Sequence, residues 1–274
     1  AALDASTEYV FAVSTGITDA AGNPLTSDAS ATFSTSHPQI QLSGDGSATL
    51  TNYELVYNDA GDGMAVWTAD SGDGCSVMYA HFDALTLAWT EGELYTVGCA
   101  GYRGATAATN GSSFMVVWHD SLRDLNAQEF VGGTWGAMQV VGRSSGMTSD
   151  NTVKIASDGT GYALTWANRL AFNNVYGSVF DPVADAWSTP EALQGAAFQH
   201  CRQPEIAANS SGYFVLWAET DNNLYSSFWD ATAQTWGGRT AQTATSNALN
   251  ALPASNGTTF LFAFSVSGVG IFAQ

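Results

Sequence analysis

From residue 38 onward the chain alternates short apolar runs with polar, glycine-rich stretches, and the alternation is periodic. An apolar run closed by an aromatic residue recurs as Gly63 to Trp67, Phe114 to Trp118, Tyr162 to Trp166, Tyr213 to Trp217 and Phe260 to Phe264, at spacings of 51, 48, 51 and 47 residues. A second tryptophan keeps the same beat at Trp89, Trp135, Trp187 and Trp236. A fixed period of this length marks a repeat architecture in which each unit is one supersecondary block.

Each unit reads as four short strands. In the third repeat, strand A is Val153 to Ala156, strand B is Tyr162 to Trp166, strand C is Val175 to Phe180, and strand D begins near Trp187. The A-to-B links are rich in residues that tolerate positive φ: Asp158 to Gly161 here, and Asp59 to Gly63, Asn110-Gly-Ser, Asn209 to Gly212 and Asn256-Gly-Thr elsewhere. Such links predict hairpins. No helical apolar period of ten residues or more separates the strands, which excludes a parallel βαβ architecture. Four antiparallel strands repeated at this period predict an all-β fold, a β-propeller spanning residues 37–274.

The fifth repeat stops at a strand C ending in Gln274, whereas Pro38 to Gly44 precedes the first strand A and matches the strand D of other repeats, such as Glu93 to Gly98. The expectation is therefore five blades closed by an N-terminal strand, or six to seven if the native chain is longer, since ring closure removes exposed edges. Residues 1–36 read as strand, turn and strand around Asp19 to Pro24, too little to bury a core of their own.

Two resemblances follow. The pattern of Leu3, Tyr9, Val13, Ile17, Asp19, Gly22, Asn23, Leu25, Phe33 and Thr35 resembles the last third of a bacterial Ig-like domain. The repeats, for example Pro204 to Trp217 and Val175 to Trp187, resemble the tryptophan-rich propeller repeats of secreted and cell-surface bacterial proteins. Those resemblances imply an architecture, an extracellular or cell-surface setting, and a chain that is part of a longer polypeptide. They imply no single activity.

Composition narrows the partners. Asp and Glu number 25 against 7 Lys and Arg, for a formal net charge of −18. A surface this acidic repels phosphate backbones, so nucleic acid is excluded as a partner. The longest apolar runs fall far short of the ~20 residues of a membrane helix, so no membrane insertion is expected. Cys75, Cys99 and Cys201 fit no metal spacing, and an odd count leaves at least one thiol outside any intrachain bridge. Cys75 and Cys99 flank strands C and D of one repeat and are compatible with an extracellular disulfide.

Candidate chemistry gathers on one face, where B-to-C loops and D-to-A links emerge. The loops supply Asp70, His119, Asp120, Asn168, Arg169, Glu219 and Asp221; the links supply Tyr102, Arg103, Lys154, His200 and Arg202. Arg103 and Arg202 each stand fifteen residues before a blade tryptophan, hence at equivalent places. An arginine cluster suits a substrate carboxylate, and paired carboxylates suit glycoside hydrolysis; the structural alternative is repeat-encoded ion pairing between blades. Strand A carries only Glu54 and Glu205 as acids. No cofactor is demanded by any motif. Asp59, Asp62, Asp70 and Asp73 could hold calcium through oxygen ligands, but they lack the EF-hand spacing, and turn chemistry explains them. Trp229, off the tryptophan lattice, could stack on a sugar or pack against the neighbouring blade, with packing favoured. The expectation is a non-catalytic extracellular module that binds a glycan or a protein; the alternative is a carbohydrate-active enzyme of sialidase-like or five-bladed glycosidase-like type.

Overall fold

The computed structural model describes residues 7–13, 22–23, 27, 29–35, 42, 49–70, 74–97, 104–120, 124–143, 153–169, 173–194, 201–242, 248–266 and 269–274. The chain divides into two compact units, residues 1–44 and 45–274. In the first, β1 (Thr7–Val13) and β2 (Ala29–Thr35) form an antiparallel pair with Tyr9 opposite Phe33. Of the expected closing strand, Pro38 to Gly44, only Leu42 belongs to the described residues.

The second unit is a succession of antiparallel sheets. Sheet 1 comprises β3 (Thr49–Tyr57), β4 (Gly63–Asp70), β5 (Cys75–Asp83) and β6 (Ala88–Val97). Sheet 2 holds β7 (Ala105–Thr109), β8 (Ser113–His119) and β9 (Asp124–Val131), with an outer strand in two pieces, β10 (Thr134–Trp135) and β11 (Gln139–Arg143). Sheet 3 repeats this with β12 (Val153–Ser157), β13 (Tyr162–Arg169), β14 (Asn173–Asp181), β15 (Ala186–Trp187) and β16 (Glu191–Ala192). Sheet 4 has β17 (Cys201–Asn209), β18 (Gly212–Glu219), β19 (Leu224–Asp230), β20 (Thr235–Trp236) and β21 (Thr240–Ala241). Sheet 5 has β22 (Ala248–Ser255), β23 (Phe260–Val266) and β24 (Gly270–Ala273). Several four-stranded antiparallel sheets in this order are consistent with a β-propeller.

The split outer strands are a departure from the expected continuous strand D. In sheet 3 Pro190 has no N–H for the ladder, and in sheet 4 the pair Gly237-Gly238 interrupts the run, so pairing lapses between the two short pieces.

The first strands of successive sheets lie side by side, β3 by β7, β7 by β12, β12 by β17 and β17 by β22. Alternation along β8, β13 and β18 sends each tryptophan toward the preceding sheet. Trp118 packs with Cys75 and Val77, Trp166 with Val117 and Leu125, and Trp217 with Val175 and Leu193. Trp67, Trp118, Trp166 and Trp217 retain 6%, 0%, 2% and 0% of their surface, so these four equivalents are buried as their period predicts.

Hairpin turns take the expected form. The Asn110 carboxamide oxygen accepts the Ser112 and Ser113 amides at 3.0 and 2.8 Å, and Gly111 sits at φ 94°, a value that favours glycine. Asn209 and Asn256 cap their turns likewise. Asp62 accepts the Ala84 amide at 2.9 Å and the Asn58 side chain at 3.1 Å. Among the described residues no group of three metal-ligating side chains gathers, and Asp73 lies outside them. Cys75 is disulfide-bonded and Cys201 is a buried thiol, as the expected pairing requires of these two; Cys99 lies outside the described residues.

Candidate functional site at the loop end of sheet 4

Strand β18 ends in Trp217-Ala218-Glu219, so the indole and the carboxylate, two residues apart, share one face. Glu219 stands across from Cys201 at the start of β17, and its side chain is 0% exposed. A buried carboxylate requires partners, and three donors converge on it. The Trp217 Nε1–H donates to Oε1 at 3.0 Å, and Arg239 donates Nε to Oε1 at 2.8 Å and Nη2 to Oε2 at 2.7 Å. The arginine is therefore held in the bidentate geometry that carboxylates and guanidinium groups favour.

Arg239 comes from the interruption between β20 and β21. Its guanidinium lies 3.5 Å from the ring centroid of Tyr225, the residue directly across from Trp217. The Tyr225 hydroxyl donates to Asp221 Oδ2 at 2.6 Å, and Asp221 Oδ1 accepts the Asn223 amide at 3.0 Å.

Electrostatics follow from these contacts. The Glu219 carboxylate raises the Arg239 pKa further above its ordinary value. Partial burial pushes the Asp221 carboxyl up, but hydrogen bonds from Tyr225 and Asn223, with Arg239 nearby, hold it below its ordinary value. Burial, with the Asp221 hydrogen bond, pushes the Tyr225 phenol up. Burial and the Glu219 charge push the Cys201 thiol far up, so it stays protonated. Arg239 remains 27% exposed and Asp221 is exposed. Glu219 engages two of the five guanidinium donors, and the partly exposed remainder of the group lies beside the Tyr225 ring and an ionised carboxylate, within reach of a ligand.

Of the residues singled out from sequence, Glu219 and Asp221 meet here. His119 and Asp120 belong to the equivalent end of sheet 2, 1% and 6% exposed, and burial lowers the His119 pKa to about 4 against an opposing pull from Asp120. Asp70 ends β4 and is exposed. Asn168 and Arg169 close β13 and Arg202 lies in β17, with side chains outside the described residues, as are Tyr102, Arg103 and His200 entirely. The arginine that meets the carboxylates is Arg239, which sequence reasoning passed over. Its signal was a break in the repeat: two positions before the outer-strand residue that pairs with Asn126, Tyr176 or Tyr225, the chain has Met138, Pro190 and Arg239. Trp229 is half-buried and packs edge-on at 5.5 Å against Trp236 of its own sheet, a partner other than the neighbouring blade that the sequence favoured.

No protein-family model matches the chain, and no curated protein matches it. Among solved structures, AofleA from Arthrobotrys oligospora aligns with a TM-score of 0.50 at 10% identity, over 90% of this chain and 72% of its own. The polysaccharide lyase Uly1 aligns with a TM-score of 0.51 at 8% identity, over 82% of this chain and 57% of its own. The fucose-specific lectin from Aleuria aurantia gives 0.46 at 13% identity, over 90% and 86%. At such identities the likeness to the first two is one of fold alone.

Proposed function

We propose that this chain is a carbohydrate-recognition module that binds a glycan at the loop end of sheet 4 without turning it over. The observation that carries the reading is the partly exposed Arg239 guanidinium fixed between Glu219 and the Tyr225 ring, whose hydroxyl is bonded to the exposed Asp221. A sugar presents vicinal hydroxyls that donate to carboxylates and accept from guanidinium groups, and it presents C–H faces that lie on aromatic rings. Rigid positioning lowers the entropy lost on binding. The disulfide at Cys75 supports an extracellular setting for the module, where such bonds persist.

The test is titration of a glycan panel by calorimetry against the wild type and Arg239→Met, which installs the residue that sheet 2 carries at this position. Binding that weakens at least tenfold in the variant, with no product seen by mass spectrometry, is the expected result. Equal binding by the variant, or no glycan bound at all, overturns the reading.

One observation favours the enzyme alternative. Glu205, on an inner strand, has its carboxyl pushed up by burial although Lys154 sits 3.1 Å away, a state suited to a proton donor. Product formation that Glu205→Gln abolishes would decide for catalysis.

A further inference from the structure

Two departures from the repeat, one in sheet 3 and one in sheet 4, meet in a single cleft. The A-to-B turns of sheets 2, 4 and 5 are capped by Asn110, Asn209 and Asn256, whose side-chain oxygens accept the amide two residues on at 3.0, 2.9 and 3.0 Å. In sheet 3 Asp158 does the same for the Thr160 and Gly161 amides, at 2.8 Å each. The turn needs only that oxygen, so the charge of Asp158 is an addition. Likewise the residue across from each outer-strand tryptophan is Phe82, Phe130 and Phe180 in sheets 1 to 3, but Trp229 in sheet 4.

Both residues line a cleft of about 480 Å³ at the hairpin end of sheets 3 and 4, with half-buried Trp187 on the sheet 3 wall and half-buried Trp229 on the sheet 4 wall. The hairpins of both sheets at this end, residues 157–162, 181–186, 209–212 and 230–235, all belong to the described residues. Asp158 and Asp181 are the charged groups of the cleft, and no Lys, Arg or His lines it. Asp181 caps its own turn through Oδ1, as Asp83 and Asp230 do in their sheets, and adds its charge. Burial pushes the Asp158 carboxyl up, but hydrogen bonds from Gly161, Thr160 and Tyr213 hold it below its ordinary value, so it is ionised at neutral pH. Those bonds also occupy the Thr160 and Tyr213 hydroxyls, which leaves Ser188 and Gln234 as the side-chain hydroxyl and amide donors not engaged with Asp158.

We propose that this cleft binds a small organic cation, an ammonium bearing methyl or other apolar substituents, with its charge facing Asp158 and its substituents against the Trp187 and Trp229 rings. Ring faces attract a cation through their quadrupole, and carboxylates in a cleft shielded from water add to that attraction. A fully substituted ammonium has no N–H to satisfy, so it suits a carboxylate whose lone pairs the turn already occupies. A neutral sugar needs donors as well as acceptors for its hydroxyls, and the cleft is poor in donors. An anion is opposed by both carboxylates.

The probe is choline, titrated into the full chain at fixed ionic strength and read by NMR, beside its neutral isostere in which a carbon atom replaces the nitrogen. Saturable binding in the millimolar range or tighter is expected, with shifts at the Trp187 and Trp229 indole resonances, and the isostere should bind about tenfold more weakly. Asp158→Asn and Trp229→Phe install residues that other sheets carry at these positions, so the turn and the strand persist. Each should weaken choline about fivefold. Arg239→Met should leave choline binding unchanged, which separates this site from the glycan reading at the loop end. Absence of saturable binding, or equal binding of the isostere, overturns the proposal. Unchanged affinity in either cleft variant overturns it too, because it reports attraction to the acidic surface at large. Displacement of choline by a neutral methyl glycoside assigns the cleft to sugars and overturns it as well.

Discussion

The loop ends of sheets 4 and 2 occupy the same place in the repeat and hold opposite chemistry. In sheet 4, Trp217 donates to Glu219, Arg239 clamps the same carboxylate, and Tyr225 lies beneath the guanidinium. In sheet 2 the acid is one methylene shorter, Asp120, Met138 stands where Arg239 does, and Asn126 replaces Tyr225. Asp120 turns instead to its own loop, accepting the Asp124 amide at 2.9 Å. Among the described residues the Trp118 indole N–H and His119 Nδ1 find no hydrogen-bond partner. The difference teaches that the repeat dictates where a polar group ends up, while its side-chain length and the residues facing it dictate which network it joins.

The largest effect is expected at the buried pair. Glu219→Ala strands Arg239 and the Trp217 N–H, and should cost about 3 to 5 kcal/mol in chemical denaturation at neutral pH. Asp120→Ala should cost less, about 1 to 3 kcal/mol, because it strands no clamped guanidinium. Equal losses would erase the contrast between the two ends.

Next in size is a pH effect confined to sheet 2. His119 titrates at about 4 in the folded chain and near 6.5 when unfolded, so the unfolded state binds the extra proton first. The stability it preserves is fully present above pH ~6.5 and is lost as the pH falls toward 4, by on the order of 3 kcal/mol relative to His119→Gln. Parallel stability curves for the wild type and the variant over that window would refute the burial of the imidazole.

The tryptophans themselves sharpen the comparison. Trp217→Phe removes a hydrogen bond to a charged partner and should cost about 1 to 2 kcal/mol more than Trp118→Phe, whose indole N–H donates to no described group. Matching denaturation midpoints for the two variants would show that the Glu219 bond contributes nothing. The smallest change is expected from Tyr225→Phe. It should lower stability by less than ~1 kcal/mol, while NMR titration shows the Asp221 carboxyl moving back up toward its ordinary value; an unmoved carboxyl would mean that the phenol does not hold it down.

Part of the candidate site was legible in the residues. Glu219 and Asp221 follow a lattice tryptophan by two and four positions, so their placement at a loop end was readable. Arg239 was not, because it lies 20 residues from the carboxylate it clamps and the pairing depends on how β21 aligns with β19. His119 looked like a loop ligand, yet one residue beyond an inward tryptophan a strand side chain faces the other sheet interface, which buries it.

The sequence by itself determined the strand-turn-strand order, the hairpin turns at Asn110, Asp158 and Asn256, and the burial of Trp67, Trp118, Trp166 and Trp217. These follow from short-range rules: period-two alternation, positive-φ tolerance, and a repeat that places like residues in like positions. Only the tertiary structure decided which distant side chains meet, because those contacts depend on register between strands and on the packing of one sheet against the next. It was the fold that turned Arg239 onto Tyr225 and Glu219 and left the Trp118 N–H without a described acceptor.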